Sequence, residues 1–226
     1  GCAVGSWAVG GFVAVLVAAF IGAFSVTLIM YLLSLVIRSN TMLLIVGVLV
    51  GYVSSSFIVL LNFFASQDGV RAYMMWGMGS FSGVPHSMIP VFAMAIILCL
   101  VVPILLAKPL NLLVLGTKYA ENLGVGIRTV RNALLLASGT LTAVVTTFCG
   151  PIAFLGLAVP HMARLIFKTD DFRVLIPAVL LCGSASALAC NAACVLPGNG
   201  SVIPLNAVTP LIGVPVILYI MLKKYF

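Results

Sequence analysis

The chain alternates between long apolar runs and short polar stretches. A helix of roughly 20 apolar residues crosses the hydrocarbon core of a bilayer, and by that length the sequence predicts seven membrane-spanning helices. In none of them does a charged residue occur before the last turn. The predicted fold class is therefore all-α, a polytopic transmembrane helical bundle. The predicted spans are 9–37, 43–65, 87–107, 132–149, 151–167, 174–196 and 205–222.

Glycine and proline interrupt this pattern in the middle of the chain. The fourth and fifth spans are separated only by Gly150-Pro151, and the fifth also contains Gly156 and Pro160. Because proline removes a backbone donor, the freed carbonyls must be covered by protein or water, and we expect this region to lie inside the bundle. The segment 68–83 is too polar and glycine-rich to span, and it predicts a short interfacial helix followed by a turn.

Composition and charge are typical of a membrane protein. Of the 226 residues, 63% are hydrophobic and 7% are charged, and the net charge is +7. Since the basic residues are sparse and lie between apolar runs, the positive-inside rule explains them better than nucleic-acid binding does. Taking alternate loops as one side places ten of the eleven basic residues together and leaves only Arg71 opposite. The sequence thus predicts residue 1 outside and residue 226 in the cytoplasm.

Candidate chemistry is sparse. The sequence has no G-x-S-x-G, H-E-x-x-H or Walker A pattern. His86 and His161 fall on opposite sides of the predicted bundle and cannot share a metal. The six cysteines lie in or beside apolar runs and are interpreted as small buried hydrophobic residues. Cys190 and Cys194, four residues apart, leave a metal or redox pair as the less favoured alternative. We therefore predict no enzyme activity, no cofactor and no metal.

The acidic residues bear on the energy source. All four of them, Asp68, Glu121, Asp170 and Asp171, lie in predicted loops. Ion-coupled carriers usually need an ionisable group at membrane depth. An external energy source, most simply an ATPase partner, is therefore favoured over the alternative of an ion-gradient-driven secondary carrier or channel.

The longest predicted cytoplasmic segment, 108–131, is partly apolar. Leu112, Leu115, Tyr119 and Leu123 accompany its charges. A solvated linker would not need these side chains, whereas a pair of short helices that docks into a groove on another protein would. The alternative is an amphipathic segment that lies on the membrane face.

Residues 150–164, GPIAFLGLAVPHMAR, resemble the signature G-P-I-x-F-x-G-L-x-x-P-H-x-A-R of the FecCD family of ABC importer permeases, which includes iron-siderophore, haem and cobalamin transporters. Residues 107–131 are similar to the family's coupling loop, and Trp76 to Gly83 to its W-x-x-G-S-x-x-G region. Residues 204–215 resemble P-x-G-x-x-T-A-L-I-G-x-P, the start of the last helix. The signature residues in this chain are Gly150, Pro151, Phe154, Gly156, Pro160, His161 and Arg164.

The resemblance implies a single permease domain, 1–226, whose spans are helices four to ten of a ten-helix subunit. Three helices, about a hundred residues, are then expected before residue 1, in line with the odd number of upstream helices that the charge pattern predicts. Two permease copies, most simply a homodimer, would form a path across the inner membrane. Cytoplasmic ABC ATPases and a periplasmic or lipid-anchored substrate-binding protein would serve it. The ligand is an iron-siderophore, haem or cobalamin-type complex, and the residues do not decide between these.

The resemblance also implies two sites. Asn40 and Thr41 suit N-capping of a helix that starts near Met42 as well as a gate. Thr117, Glu121, Asn191 and Val195 depart from the family's pattern, which leaves open the shape of the ATPase groove and one contact with the binding protein. The translocation path and cytoplasmic gate are expected at Asn40, Thr41, Gly47 and Gly51. The ATPase is expected to contact Gly116, Thr117, Tyr119, Ala120, Glu121, Leu123, Gly124 and Arg128.

Overall fold

The computed structural model describes residues 2–37, 39–81, 84–195 and 203–225. Across these residues the chain forms ten α-helices, a short 3-10 turn at His86–Met88 and no β-strand, which confirms the all-α prediction. The helices are α1 (Cys2–Val36), α2 (Asn40–Phe64), α3 (Gln67–Gly77), α4 (Ile89–Leu105), α5 (Ala107–Val114), α6 (Thr117–Asn122), α7 (Ile127–Cys149), α8 (Leu155–Phe167), α9 (Phe172–Val195) and α10 (Leu205–Tyr225).

Each predicted span coincides with an apolar helix, but the lengths differ. The helix predicted at 132 begins five residues earlier, and the one predicted at 151 begins only at Leu155, because Pro151 and the turn after it delay it. At 13 residues, α8 is about 20 Å long, less than the roughly 30 Å of a hydrocarbon core. Among the described residues, five stretches are long and apolar enough to cross a membrane, namely Val17–Val36, Thr41–Phe64, His86–Leu105, Ile127–Cys149 and Phe172–Val195.

One part of the core joins α1 to α7. The Arg131 Nη2 atom donates to the carbonyl oxygens of Ser34, at 2.6 Å, and Ile37, at 3.0 Å. These bonds satisfy carbonyls that the last turn of α1 leaves without helical partners. Further along, a Cβ on Gly139 would collide with the side chain of Thr27. The two helices therefore lie in close contact where α7 has no side chain.

A second part of the core joins α8, α9 and α10. One cluster of buried side chains links α8 to α9 through Ala163, Leu175 and Ala178. A second cluster links α9 to α10, and in it Cys190 and Cys194 pack against apolar side chains, as expected of small hydrophobic residues. Its members are Cys190, Cys194, Leu205 and Val208.

Helix α2 stands apart from both clusters. Of its described side chains only Leu43 is buried, and large apolar side chains are exposed along its length. A helix that is apolar all round is stable only against lipid or another protein. This surface is therefore suited to a membrane or to a second subunit.

Candidate functional site

Two glycines fix the short helix α6 of the predicted coupling loop. Gly116, just before it, has φ +125° and ψ 145°, a region populated essentially by glycine. Gly124, just after it, has φ +82° and belongs to a Schellman motif. In this motif the Val125 N–H donates to the Ala120 carbonyl at 3.0 Å and the Gly124 N–H to the Glu121 carbonyl at 2.9 Å. An added Cβ at either glycine would meet no atom within 4 Å, so the backbone conformation, not space, requires glycine.

The loop presents an exposed apolar patch, which we call the coupling surface and define as Val114, Leu115, Tyr119 and Leu123. Leu115 is 68% exposed, and Tyr119 and Leu123 are each 53% exposed. Ala120, one residue along α6, is fully buried and anchors the helix. Apolar side chains on a short, fixed helix are typical of a docking surface. The predicted contacts Thr117, Glu121 and Arg128 are also exposed.

Asn111 ties this loop to the start of α9. Its Oδ1 accepts from the Phe172 N–H at 2.8 Å, and its Nδ2 donates to Asp171 Oδ1. Asp171 Oδ1 also accepts from the Arg173 N–H at 2.9 Å, so Asp171 caps α9. Sequence reasoning missed Asn111, whose one signal is a polar side chain within an apolar stretch.

Hydrogen bonding also favours the ionised form of the Asp171 carboxyl group that caps α9. The Arg173 N–H first, and the Asn111 amide next, lower the pKa of Asp171 from its ordinary value. A lowered pKa means that the cap is fully formed above the ordinary carboxyl pKa and is lost as the pH falls through the lowered one. The link between the loop and α9 is therefore intact at neutral pH.

The predicted gate begins at the first turn of α2. The cap of this helix is Ser39, whose Oγ accepts from the Met42 N–H at 3.4 Å. The prediction that Asn40 and Thr41 cap the helix is wrong, since both lie within its first turn. Thr41 is exposed, and the side chain of Asn40 lies outside the described residues.

The two gate glycines lie further along α2. A Cβ on Gly47 would be 3.2 Å from Met30 Cε of α1, whereas Gly51 has open space around it. Gly51 lines a groove between α1, α2 and α7. The role of these glycines in a translocation path stays a prediction.

Helix α7 begins just after the predicted coupling loop and ends at Cys149. Gly150 follows directly, where the end of α7 meets the turn after α3. It has φ +76° and ψ 175°, and a Cβ there would collide with the Trp76 carbonyl oxygen. The Ser80 N–H donates to the Cys149 carbonyl at 2.9 Å. The structure thus brings together the signature and the W-x-x-G-S region, which lie far apart in the sequence. Gly83, the last residue of that region, lies outside the described residues.

Asn206, in the first turn of α10, holds this junction together. Its Nδ2 donates to the Gly77 carbonyl at 3.0 Å and to the Pro151 carbonyl at 2.6 Å, and its Oδ1 accepts from the Ala153 N–H at 3.1 Å. Both amide protons and the amide oxygen are therefore used. Sequence reasoning missed this role, because the P-x-G pattern that residues 204–206 resemble has glycine in this place. We call Gly150, Pro151 and Asn206, with the turn after α3, the outer junction, after the side of the membrane on which the sequence predicts it.

Phe154 adopts a rare backbone conformation directly before α8. Its φ is +69° and its ψ −35°, and the Leu155 N–H donates to the Ala153 carbonyl at 2.9 Å, which closes a γ-turn. Beside it lies an apolar cavity of about 140 Å³ between α8, α9 and α10, lined among others by Val159, Cys190 and Thr209. The buried hydroxyl of Thr209 has no hydrogen-bond partner among the described residues.

The remaining signature residues lie along α8. Gly156 has no neighbour within 4 Å of an added Cβ, and Pro160 is inside the helix. His161 Nδ1 is 2.8 Å from the Leu157 carbonyl oxygen. Arg164 Nε is 3.6 Å from Asp170 Oδ1, with both side chains exposed. The structure thus gives His161 and Arg164 local contacts within and just after α8. Among the described residues, neither of these contacts reaches the coupling surface.

Replacing Asn206 with aspartate should loosen the outer junction. A carboxylate would face the Gly77 and Pro151 carbonyl oxygens with no proton to donate, and the half-buried Gly77 acceptor and the exposed Pro151 acceptor would both lose their partner. We expect a loss of about 2–3 kcal/mol, or a Tm lower by about 4–12 °C, measured by thermal unfolding of the purified protein. Asn122→Asp is the control, since Asn122 is exposed at the end of α6 and outside every candidate span, so the same substitution there leaves the carboxylate in water. Equal Tm values for the two variants would contradict the role of Asn206.

Comparison with known proteins agrees with this architecture. A family model described as the FecCD transport family matches residues 2–223. The vitamin B12 import system permease protein BtuC of Salmonella typhi is 31% identical over 223 residues, and that of Klebsiella pneumoniae is 32% identical over 219. Each match covers 96% of this chain, which spans 64% and 63% of those proteins. A solved inward-facing metal-chelate type ABC transporter matches with a TM-score of 0.83 and 26% identity, over 92% of this chain and 71% of that one.

Proposed function

The chain belongs to the FecCD transport family, and from this premise we propose that it is part of the permease subunit of an ATP-binding-cassette importer. The single observation that carries the proposal is the coupling surface, an exposed apolar patch on and beside the helix α6, which two glycines of positive φ flank. Such a patch suits a protein partner, and in this proposal the partner is the ATPase that the family uses. The permease itself performs no chemistry on its cargo.

Force applied at the coupling surface has a continuous route to the outer junction. Asn111 links α5 to the first residues of α9. Helix α9 has 24 residues, about 36 Å, and at its far end Cys194 packs against Leu205 of α10. Leu205 is followed by Asn206, which holds the outer junction. In this proposal, movement of the loop by the ATPase is transmitted through α9 and α10 to that junction.

The alternative, an ion-gradient-driven carrier or channel, finds less support. The four acidic residues are all exposed, and none lies within a candidate span. Coupling to protons or sodium ions usually uses an ionisable group at membrane depth. The described spans offer no such carboxylate, whereas the loop offers a docking surface.

The cargo that we propose is a metal-chelate or cobalamin-type complex. The relatives named above are vitamin B12 import permeases and a metal-chelate type transporter. Iron-siderophore and haem complexes belong to the same class of bulky chelates. Selection among them would rest largely on a separate binding protein, because the side chains of the candidate spans are mostly apolar and most of their polar members are small hydroxyl groups.

The assembly that we propose contains two copies of the permease and two cytoplasmic ATPases in the inner membrane. The exposed apolar face of α2 supplies a surface for the second copy. The coupling surface and the last residue of the chain lie in the cytoplasm, and the outer junction faces the substrate-binding protein. This orientation follows the positive-inside rule.

Uptake into proteoliposomes would separate the two candidate functions. The full transporter, purified with its ATPase, should import radiolabelled cobalamin or a ferric siderophore when ATP is present on the ATPase side, with binding protein on the other. A proton or sodium gradient without ATP should give no uptake above protein-free vesicles. Uptake driven by the gradient alone would contradict the proposal and favour the carrier.

A further inference from the structure

A groove separates the end of α4 from the start of α9. It has a volume of about 350 Å³, and its walls are apolar except for one arginine. Ile104 is 53% exposed and Leu180 is 44% exposed, so no described residue of this chain closes the groove. The side chains used below are Ile104, Ala107, Phe172, Arg173, Ile176 and Leu180.

The groove lies where two candidate spans end. The span of α4 finishes at Leu105, and the span of α9 starts at Phe172. From Phe172 to Leu180 the groove follows α9 for about 12 Å. One end therefore lies at the depth of the lipid headgroups, and the other reaches into the depth of the acyl chains.

The cation at the headgroup end of the groove is Arg173, and its charge does not stabilise the helix that carries it. Arg173 lies in the first turn of α9, where the helix dipole disfavours a positive charge. Among the described residues the ion pair on this side joins Arg164 to Asp170, and no carboxylate lies as close to the Arg173 guanidinium. The neighbouring Asp171 carboxylate interacts weakly with the Arg173 charge, but its Oδ1 atom is engaged by the Asn111 amide and by the Arg173 backbone N–H. Lys108, next to Ala107, is a second exposed cation.

From this arrangement we propose that the α4–α9 groove binds an anionic phospholipid of the surrounding leaflet. The Arg173 guanidinium pairs with the lipid phosphate, and one acyl chain lies along Ile176 and Leu180. Charge complementarity selects the headgroup, because a zwitterionic lipid offers no net negative charge. The bound lipid would sit beside Asn111 and the cap of α9, at the root of the coupling loop. The proposed lipid site goes beyond the proposed transport function, which does not require a bound phospholipid.

Native mass spectrometry of the purified full-length protein in detergent tests this site. The protein is titrated with phosphatidylglycerol or with phosphatidylcholine of the same acyl chains, and the Kd of the first bound lipid is measured. We expect phosphatidylglycerol to bind about fivefold more tightly. Arg173→Gln, at an exposed position, should abolish this preference. Ile176→Trp, which fills the groove, should weaken binding of phosphatidylglycerol while leaving the charge in place.

Lys168→Gln is the matched control. It removes the same charge from the same predicted membrane face, but Lys168 does not line the groove, and the preference for phosphatidylglycerol should persist. Equal affinities for the two lipids in the unmodified protein would overturn the proposal. So would a preference that survives Arg173→Gln, or one that Lys168→Gln removes to the same extent, since that would indicate diffuse surface charge. None of these three outcomes bears on ATP-driven uptake.

Discussion

Replacing Gly150 with alanine is expected to destabilise the protein more than any other single methyl group added to the signature. An L-residue at φ +76° and ψ 175° costs about 1–3 kcal/mol in backbone strain. The new Cβ would also collide with the Trp76 carbonyl oxygen, which is backbone and cannot rotate away. We expect a total loss of about 3–5 kcal/mol and a Tm lower by about 6–20 °C, measured by thermal unfolding in detergent.

Gly156→Ala is the matched control for this prediction. It adds the same methyl group six residues later in the same signature, within α8, where a Cβ meets nothing within 4 Å. Alanine is favoured over glycine inside a helix by about 1 kcal/mol, so Tm should stay equal or rise slightly. A Gly150→Ala protein as stable as the Gly156→Ala protein would show that the outer junction is not packed as described.

The second large effect is expected from Leu123→Asp in the coupling surface. Leu123 is half exposed, so the isolated permease should fold normally. Docking of the ATPase, however, would bury the new carboxylate in an apolar contact, and an unpaired buried charge is costly. We expect ATPase retained on the purified permease to fall at least about tenfold, and ATP-driven uptake with it. Both are measured on the same membranes, by subunit ratio and by accumulation of labelled ligand.

Thr129→Asp controls for the added charge. Thr129 is exposed in the first turn of α7, where an acidic residue is favoured by the helix dipole, and it is not part of the coupling surface. ATPase retention and uptake should remain near those of the unmodified protein. Wild-type uptake by the Leu123→Asp variant would contradict the assignment of this surface. Gly124 is a less direct probe, because any residue there also disturbs the Schellman motif.

The sequence predicted the helices better than the contacts between them. Apolar runs of sufficient length identify spans because their signal is local and repeated over many residues. Helix ends depend on single residues, and at Ser39-Asn40-Thr41 three suitable caps follow one another, so the pattern could not place the first turn. The start of α8 was misplaced for a similar reason, since the γ-turn at Phe154 has no sequence signal of its own.

Some residues of the candidate site could be named from the sequence, and others only from the structure. Gly116 and Gly124 were named from a resemblance, and the structure supplies the physical reason, since both have positive φ. Asn111 and Asn206 could not be predicted, because their partners lie 53 to 129 residues away in the chain. A polar residue in an apolar segment indicates that a partner exists, but only the tertiary structure identifies it.

The γ-turn at Phe154 has an energetic consequence for the transport cycle proposed above. A bulky L-residue held at φ +69° raises the free energy of this conformation by about 1–3 kcal/mol. Any rearrangement of the outer junction that returned Phe154 to ordinary helical or extended angles would recover that amount, which corresponds to a factor of about 5 to 150 in an equilibrium constant. In the proposed cycle, the strained turn would supply part of the free energy of the conformational change. That part is stored in the fold before any nucleotide binds.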